Sequence, residues 1–252
     1  MAEFGYLRGD GMELIICRGS ALSYPRHNHV SVLALGFVLE GALALVTDGK
    51  SRIIRAGGAF AVPPYAPHGI NAGAPYTLLT LCVGADRASG QAAEEVISAA
   101  APFLREAIGN PALEERVRQA FRGAMPAGPR PSGRREPAIG HLAAQLEAEP
   151  ERRYSVDDMA RAALMSKYEL IRAFKREAGL TPHQFQLQNR VRKAQRLLEG
   201  AATMTEAALA AGFCDQSHFI RQFKRLVGLT PTEYKLACGT LPPLSLSYHT
   251  VS

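Results

Sequence analysis

Apolar positions follow two different rhythms along this chain. Through the first ninety residues they come in short runs or alternate with polar ones, over Met12–Arg18, Ser31–Leu39, Gly41–Thr47, Ser51–Arg55, Ala59–Val62 and Tyr76–Val83. Gly, Pro, Asn and Asp separate these runs, and Asp48-Gly49 is a hairpin dipeptide. Several short strands with regular turns predict a sandwich or barrel. From Glu94 the spacing changes to three and four. Val96, Ile97, Ala100 and Leu104 mark one amphipathic helix, and Leu113, Val117, Ala120 and Phe121 mark a second that restarts at Asn110-Pro111. Periodicity then stops from Gly123 to Pro137, a stretch rich in Pro, Gly and Arg that reads as a semi-extended, exposed linker. Ile139, Leu142, Ala143 and Leu146 open a second, wholly helical half.

That half contains an internal repeat. Leu170–Pro182 returns forty-nine residues later as Phe219–Pro231. Each copy has apolar residues four apart, Leu170 with Phe174 and Phe219 with Phe223, and basic residues between them. The spacing predicts a helix with one core stripe and one cationic face. Gly179 and Gly228 suit a left-handed helix end, Thr181 and Thr230 suit N-caps, and Pro182 and Pro231 suit the first position of the next helix. Ahead of the first copy, Ser155 caps a short helix with Asp157 and Asp158 in its first turn, and Ser166-x-x-Glu169 has capping-box spacing. Ahead of the second, Thr203 to Glu206 is a similar opening, Gly212 permits a tight turn, and Asp215 can cap the repeated helix. A short helix, a tight turn and a basic second helix make a helix-turn-helix, whose second helix enters the DNA major groove.

The pairing of Ile-Arg-x-Phe-Lys-Arg-x-x-Gly-Leu-Thr-Pro with the stretch Ala208–Phe219 resembles the AraC/XylS family of bacterial transcription regulators. The likeness covers about the last hundred residues. It implies two helix-turn-helix units held apart by a central helix, here Pro182 to Leu198. It also implies base-facing positions at Tyr168, Ile171 and Arg172 in the first copy, and at Gln216, Ser217, Ile220 and Arg221 in the second. Arg suits guanine, Gln adenine, and Ile the thymine methyl. Lys175, Arg176, Arg190, Arg192 and Lys193 are expected to include phosphate contacts that position the domain without reading sequence.

Charge supports that expectation. The net charge is +6, and Lys167 to Arg196 alone holds eight Lys/Arg against two Glu, a concentration suited to phosphate neutralisation. Cys17, Cys82, Cys214 and Cys238 form no CxxC pair, which argues against a zinc finger or a disulfide framework. Neither a membrane-length apolar run nor a signal peptide stands out, so the cytoplasm is expected and no membrane partner is.

The first half resembles the cupin barrel that many members of that family carry. The resemblance rests on His27-x-His29, Glu40-Gly41, and Gly57 to Pro63 with Tyr65 and His68 beyond. It departs from the metal-binding pattern in two places: no Glu follows His29 at the short spacing, and Tyr65 stands where glycine is usual. His27 and His29, two apart on a strand, should share a face. With His68 beside them they could hold a divalent metal (Zn, Ni, Co or Fe). Alternatively His27, His29, Tyr65, His68 and Glu40 bind an organic effector, or the histidines are structural.

The expected fold is therefore multidomain α+β: a cupin-like barrel with following helices, then an all-α double helix-turn-helix domain. The divisions are 1–90 for the effector-sensing barrel, 91–122 for dimerisation helices, 123–137 for the linker, 138–238 for the DNA-binding domain and 239–252 for a tail without assigned role. The expected function is sequence-specific transcription regulation of double-stranded DNA, gated by a small molecule or metal ion. The protein is expected to be a homodimer, with RNA polymerase as a partner if it activates, and no catalytic residues. The alternatives are a cupin metalloenzyme with an accessory DNA-binding domain, or a constitutive regulator whose barrel only dimerises.

Overall fold

In the computed structural model the described residues are 2–9, 11–29, 32–47, 49–84, 93–124 and 136–239. The linker residues 125–135 and the tail from 240 onward lie outside them, as does Asp48 of the hairpin dipeptide.

The first half is an antiparallel two-sheet barrel. One sheet has the order β1 (Glu3–Gly9), β2 (Met12–Ser20), β9 (Tyr76–Gly84), β4 (Val32–Glu40), β7 (Ala59–Val62). The other has the order β3 (Tyr24–His27), β8 (His68–Asn71), β5 (Ala42–Thr47), β6 (Lys50–Arg55). All six expected strands are present. β1, β3 and β8 are additional, and His29 lies beyond the end of β3 instead of on a strand.

Strands β4 and β9 are apolar on both faces because both faces are covered. Leu33, Leu35 and Phe37 face a core shared with two helices, α1 (Ala93–Ile108) and α2 (Pro111–Ala124). Ala34 and Val38 face the barrel interior with Leu43, Phe60, Val62 and Leu78. Asn110 Oδ1 accepts the amides of Ala112 and Leu113 at 3.0 and 3.2 Å, which caps the start of α2. Val96, Ile97, Ala100, Leu104, Val117 and Phe121 are spent on the barrel's own sheet. The outer side of this pair is polar, with Arg122 pairing Glu94 at 2.6 Å and Glu115 at 3.1 Å.

The second half is helical: α3 (Pro137–Ala148), α4 (Val156–Ala162), α5 (Lys167–Ala178), α6 (Pro182–Glu199), α7 (Met204–Ala210), α8 (Gln216–Val227) and α9 (Pro231–Ala237). The caps fall where the sequence puts them. Capping boxes close at Ser166–Glu169, Thr181–Gln184, Thr203–Glu206 and Thr230–Glu233, and the Asp215 carboxylate accepts the amides of Ser217 and His218. Helices α5 and α8 both end on a left-handed glycine, Gly179 at φ 73° and Gly228 at φ 88°.

The repeat extends to side-chain packing. Phe174 meets Phe185 edge to face, with centroids 5.4 Å apart and planes at 72°. Their mates forty-nine residues on, Phe223 and Tyr234, repeat this at 5.4 Å and 70°. Central helix α6 serves both units: Phe185 lies in the core of the first, and Val191, Ala194 and Leu198 lie in that of the second.

The barrel docks on both units at their matched turns. A side chain at Gly179 would run into the Pro67 ring, its Cβ 1.8 Å from Pro67 Cγ, and one at Gly228 would meet the Tyr24 hydroxyl at 2.8 Å. The N-terminal strand makes a third contact, since Tyr6 lies in the core of the second unit.

Candidate functional site

Two surfaces carry chemistry. The first is the outer side of α5 and α8. Phe174, Phe223, Leu170 and Phe219 are fully buried, so each helix can turn only one side outward. On that side Tyr168 is 82% exposed, and Arg172, Lys175, Arg176, Gln216, Ser217 and Arg221 are exposed as well. Ile171 and Ile220 are half-buried beside them. Arg172 and Arg221 are mates in the repeat, so two guanidinium groups stand at the same place on two equivalent scaffolds. Arg176 lies 3.2 Å from Glu177, an exposed pairing that DNA phosphate can outcompete.

Three cations on α6 do something else. Arg190 donates to the carbonyls of Pro150, Glu151 and Arg152 at 2.8, 3.4 and 3.3 Å, and so satisfies the turn between α3 and α4. Lys193 pairs with Glu151 at 2.8 Å. Arg192 donates to the carbonyl of Asn28 in the barrel and to Asn189 Oδ1. Lys175 and Arg176 are thus the exposed members of the set expected to include phosphate contacts, while these three engage protein groups. Helix α6 is covered on more than one side, so Arg190 and Arg192 turn onto protein carbonyls and Lys193 onto a carboxylate.

The second surface is a cavity of about 570 Å3 inside the barrel, closed on one side by α6. Its wall is largely apolar, with Val32, Phe60, Val62, Ile70 and Leu78 among the lining residues. His27, His29, His68, Gln188 and Arg192 supply polar groups. The imidazoles meet although the backbone positions differ: ring centroids are 4.2 Å apart for His27–His68, 4.9 Å for His29–His68 and 5.3 Å for His27–His29. One ring nitrogen from each lies within 4.8 Å of the others.

Burial decides the charge of this cluster. It pushes His27 below the usual imidazole range, His29 well below it and His68 down to about 3, and the neighbouring rings act in the same direction on His29 and His68. All three are therefore neutral at pH 7. The tautomers of two follow from their partners. His27 Nδ1 is 2.8 Å from the Pro25 carbonyl and His68 Nδ1 is 3.2 Å from that of Ala66. A carbonyl only accepts, so each Nδ1 carries the proton and each Nε2 keeps its lone pair. Arg192, pushed down to about 10 chiefly by burial, still carries its charge.

Two expected pocket residues are elsewhere. Glu40 accepts a hydrogen bond from the Thr77 hydroxyl at 2.8 Å and does not line the cavity. Tyr65 turns away to pack with the first helix-turn-helix unit, its hydroxyl 3.4 Å from Glu147. Its φ of 62° explains why glycine is usual at this position. Sequence reasoning missed Asn28 and Gln188, which join barrel to α6. The one available signal was the run of amides Gln186, Gln188 and Asn189 within a core-facing helix, all of them buried.

Residues 16–84 match the cupin domain family and residues 159–237 match a helix-turn-helix domain family. The chain is similar to the HTH-type transcriptional regulator MtrA of Neisseria gonorrhoeae, with 36% identity over 88 residues, which is 34% of this chain and 29% of that protein. It is also similar to an uncharacterized HTH-type transcriptional regulator of Bacillus subtilis, YbfI, with 38% identity over 73 residues, covering 29% of this chain and 26% of that one. The chain thus spans under a third of the length of either relative. In fold the whole chain resembles ToxT of Vibrio cholerae O395, with a TM-score of 0.59 at 13% identity over 90% of this chain and 98% of that one. Among the described residues no helix is long and apolar enough to cross a membrane.

Proposed function

We propose that this chain, which joins a cupin domain to an AraC-type double helix-turn-helix domain, binds specific sequences in double-stranded DNA and regulates transcription according to what its barrel holds. The observation that carries this reading is the pair α5 and α8: the same left-handed glycine end, apolar stripe and outward arginine, built twice around one central helix. Two such helices suit successive major-groove segments, roughly 34 Å apart along the duplex. Selection of duplexes from a random pool by the full chain should enrich a motif with two elements about one helical turn apart. A pool that enriches nothing would reject the reading.

Regulation is the reading rather than catalysis, with the cytoplasm as the compartment and RNA polymerase as a partner if the protein activates. A homodimer formed through α1 and α2 would use their outer side, where Arg122 pairs with Glu94 and Glu115, because their apolar core residues lie on the barrel.

The sensor site supports two kinds of occupant. The cavity's size and apolar wall suit a small organic effector. The donor set also fits a divalent metal: three neutral imidazoles, with Nε2 of His27 and His68 as the lone-pair atoms. Such an ion would supply a fixed positive charge that draws the three rings together. Elemental analysis of the purified chain separates the two. About one divalent ion per chain, lost in His27→Ala and His68→Ala, supports metal. A metal-free chain whose response to its effector is lost in the same variants supports the organic ligand.

A further inference from the structure

The histidine cluster stands one residue away from a direct tie to the DNA-binding domain. Asn28, between His27 and His29, is 0% exposed. Its backbone N–H donates to Gln188 Oε1 at 3.1 Å, and its Nδ2 donates to the carbonyl of Ala178 at the end of α5 at 2.8 Å. Gln188 Nε2 donates back to Asn28 Oδ1 at 2.7 Å and to the Asn28 carbonyl at 2.8 Å, and Arg192 donates to that same carbonyl. Both donors and both acceptors of this barrel residue are therefore satisfied by α5 and α6. Buried amides without partners forfeit their full desolvation energy, so these bonds hold or break together.

The strand leading into Asn28 lies on the second reading helix. Leu22, Tyr24 and Pro25 share a groove with Ser217, Ile220 and Arg221 of α8, and the Tyr24 hydroxyl abuts the Gly228 turn. A major groove is about 12 Å wide, and a helix with its side chains is about 10–12 Å across. A helix inserted there has DNA on both flanks. With the barrel on one flank of α8, docking of the barrel and full insertion of α8 exclude one another.

We propose that Asn28 is an interdomain latch that holds α8 against the barrel and keeps it from the DNA. This inference rests on the reading of the chain as a DNA-binding regulator. Asn28 lies between two cavity histidines and itself lines the cavity, which ties the latch to the sensor site. Displacement of Asn28 breaks the bonds to α5 and α6 together and lets α8 move away from Leu22–Pro25, pivoting on the remaining anchor of Tyr6 in the core of the second unit.

The test uses the full chain, with Asn28→Ala breaking the latch from the barrel side and Gln188→Leu breaking it from the helical side. Spin labels on Arg52→Cys and on the exposed Cys214, in a Cys238→Ser background, report the distance between domains. A duplex selected by the wild type reports DNA affinity. Both variants should broaden the distance distribution and bind the duplex on the order of 10-fold more tightly, as expected when a minor competent state becomes the major one. Should Asn28→Ala fail to fold, Gln188→Leu alone carries the same expectation. Distances unchanged from wild type overturn the latch, and so do distances that broaden while DNA binding stays equal or weakens. If no protein selects any duplex while the distances still broaden, the DNA-binding reading falls and the mechanical latch stands.

Discussion

Tyr6 and Tyr234 meet edge to face, their ring centroids 4.8 Å apart, and so join the first strand of the barrel to the last helix of the second helix-turn-helix unit. The Tyr234 hydroxyl donates to Glu199 at 2.6 Å, and the Tyr6 carbonyl accepts the amide of Gly239 at 2.9 Å. Burial raises the pKa of both phenols, so both remain protonated. Tyr6→Ala should cost about 3–5 kcal/mol of stability, as for other large aromatic truncations in a core. Tyr234→Phe should cost about 1.5–3 kcal/mol, the net worth of one hydrogen bond to a charged group. Denaturant titration checks both, and a Tyr6→Ala midpoint equal to wild type would mean that the strand is not docked in solution.

Arg172→Ala and Arg221→Ala should each weaken binding to a selected duplex by about 1–3 kcal/mol and relax preference at one base position. Both side chains are exposed, so melting temperatures should hardly change. Competition binding against single-base variants of the duplex is the measurement. Unaltered affinity together with unaltered preference in both variants would remove these residues from the reading surface.

Basic residues should divide by helix. Lys175→Ala and Arg176→Ala on α5 should weaken binding equally on all sequences and lower the slope of log affinity against log salt by about one unit each. Arg190→Met on α6 should leave that slope alone and instead destabilise the fold by about 1–3 kcal/mol, because three carbonyls each lose a donor and only those of Pro150 and Arg152 keep a second one, from Gln186. A salt slope lowered by Arg190→Met would return that residue to the phosphate contacts.

Acid should loosen the caps in a predictable order. The carboxylates of Glu169, Glu206 and Glu233 are held below the ordinary 4.5 by the backbone amides of Ser166, Thr203 and Thr230. A depressed folded pKa contributes stability that is fully present above the unfolded value and is lost as pH falls through the folded one. The helical half should therefore lose stability from about pH 4.5 downward. Replacing all three by Gln, the residue that Gln184 already supplies in the cap of α6, should flatten that part of the profile while keeping the boxes closed. Helical signal followed against pH from 6 to 3 is the readout, and a variant profile parallel to wild type would place the acid sensitivity elsewhere.

The double helix-turn-helix was legible in the sequence because everything that defines it is local. A cap acts over three residues and an apolar stripe over four, and the repeat states both twice, so Ser166, Thr181, Asp215 and the stripe pairs Leu170–Phe174 and Phe219–Phe223 could be placed without tertiary knowledge. Six of the barrel strands were legible for the same reason. Strands β3 and β8 were not, because four residues carrying Pro, Arg, His, Gly and Asn show no alternation and gain strand geometry only from their neighbours. The meeting of His27, His29 and His68 was a conjecture in the sequence and became a distance only when the barrel closed. The direction of Arg190, Arg192 and Lys193 belongs wholly to the tertiary structure. A lysine or arginine takes whichever of water, phosphate or carbonyl lies within reach, and for Arg192 that partner, Asn28, is 164 residues away in the chain. Local spacing fixes which side of a helix is apolar, but what covers the other side is settled by long-range packing, because a buried polar group is stable only where another part of the chain supplies its partner.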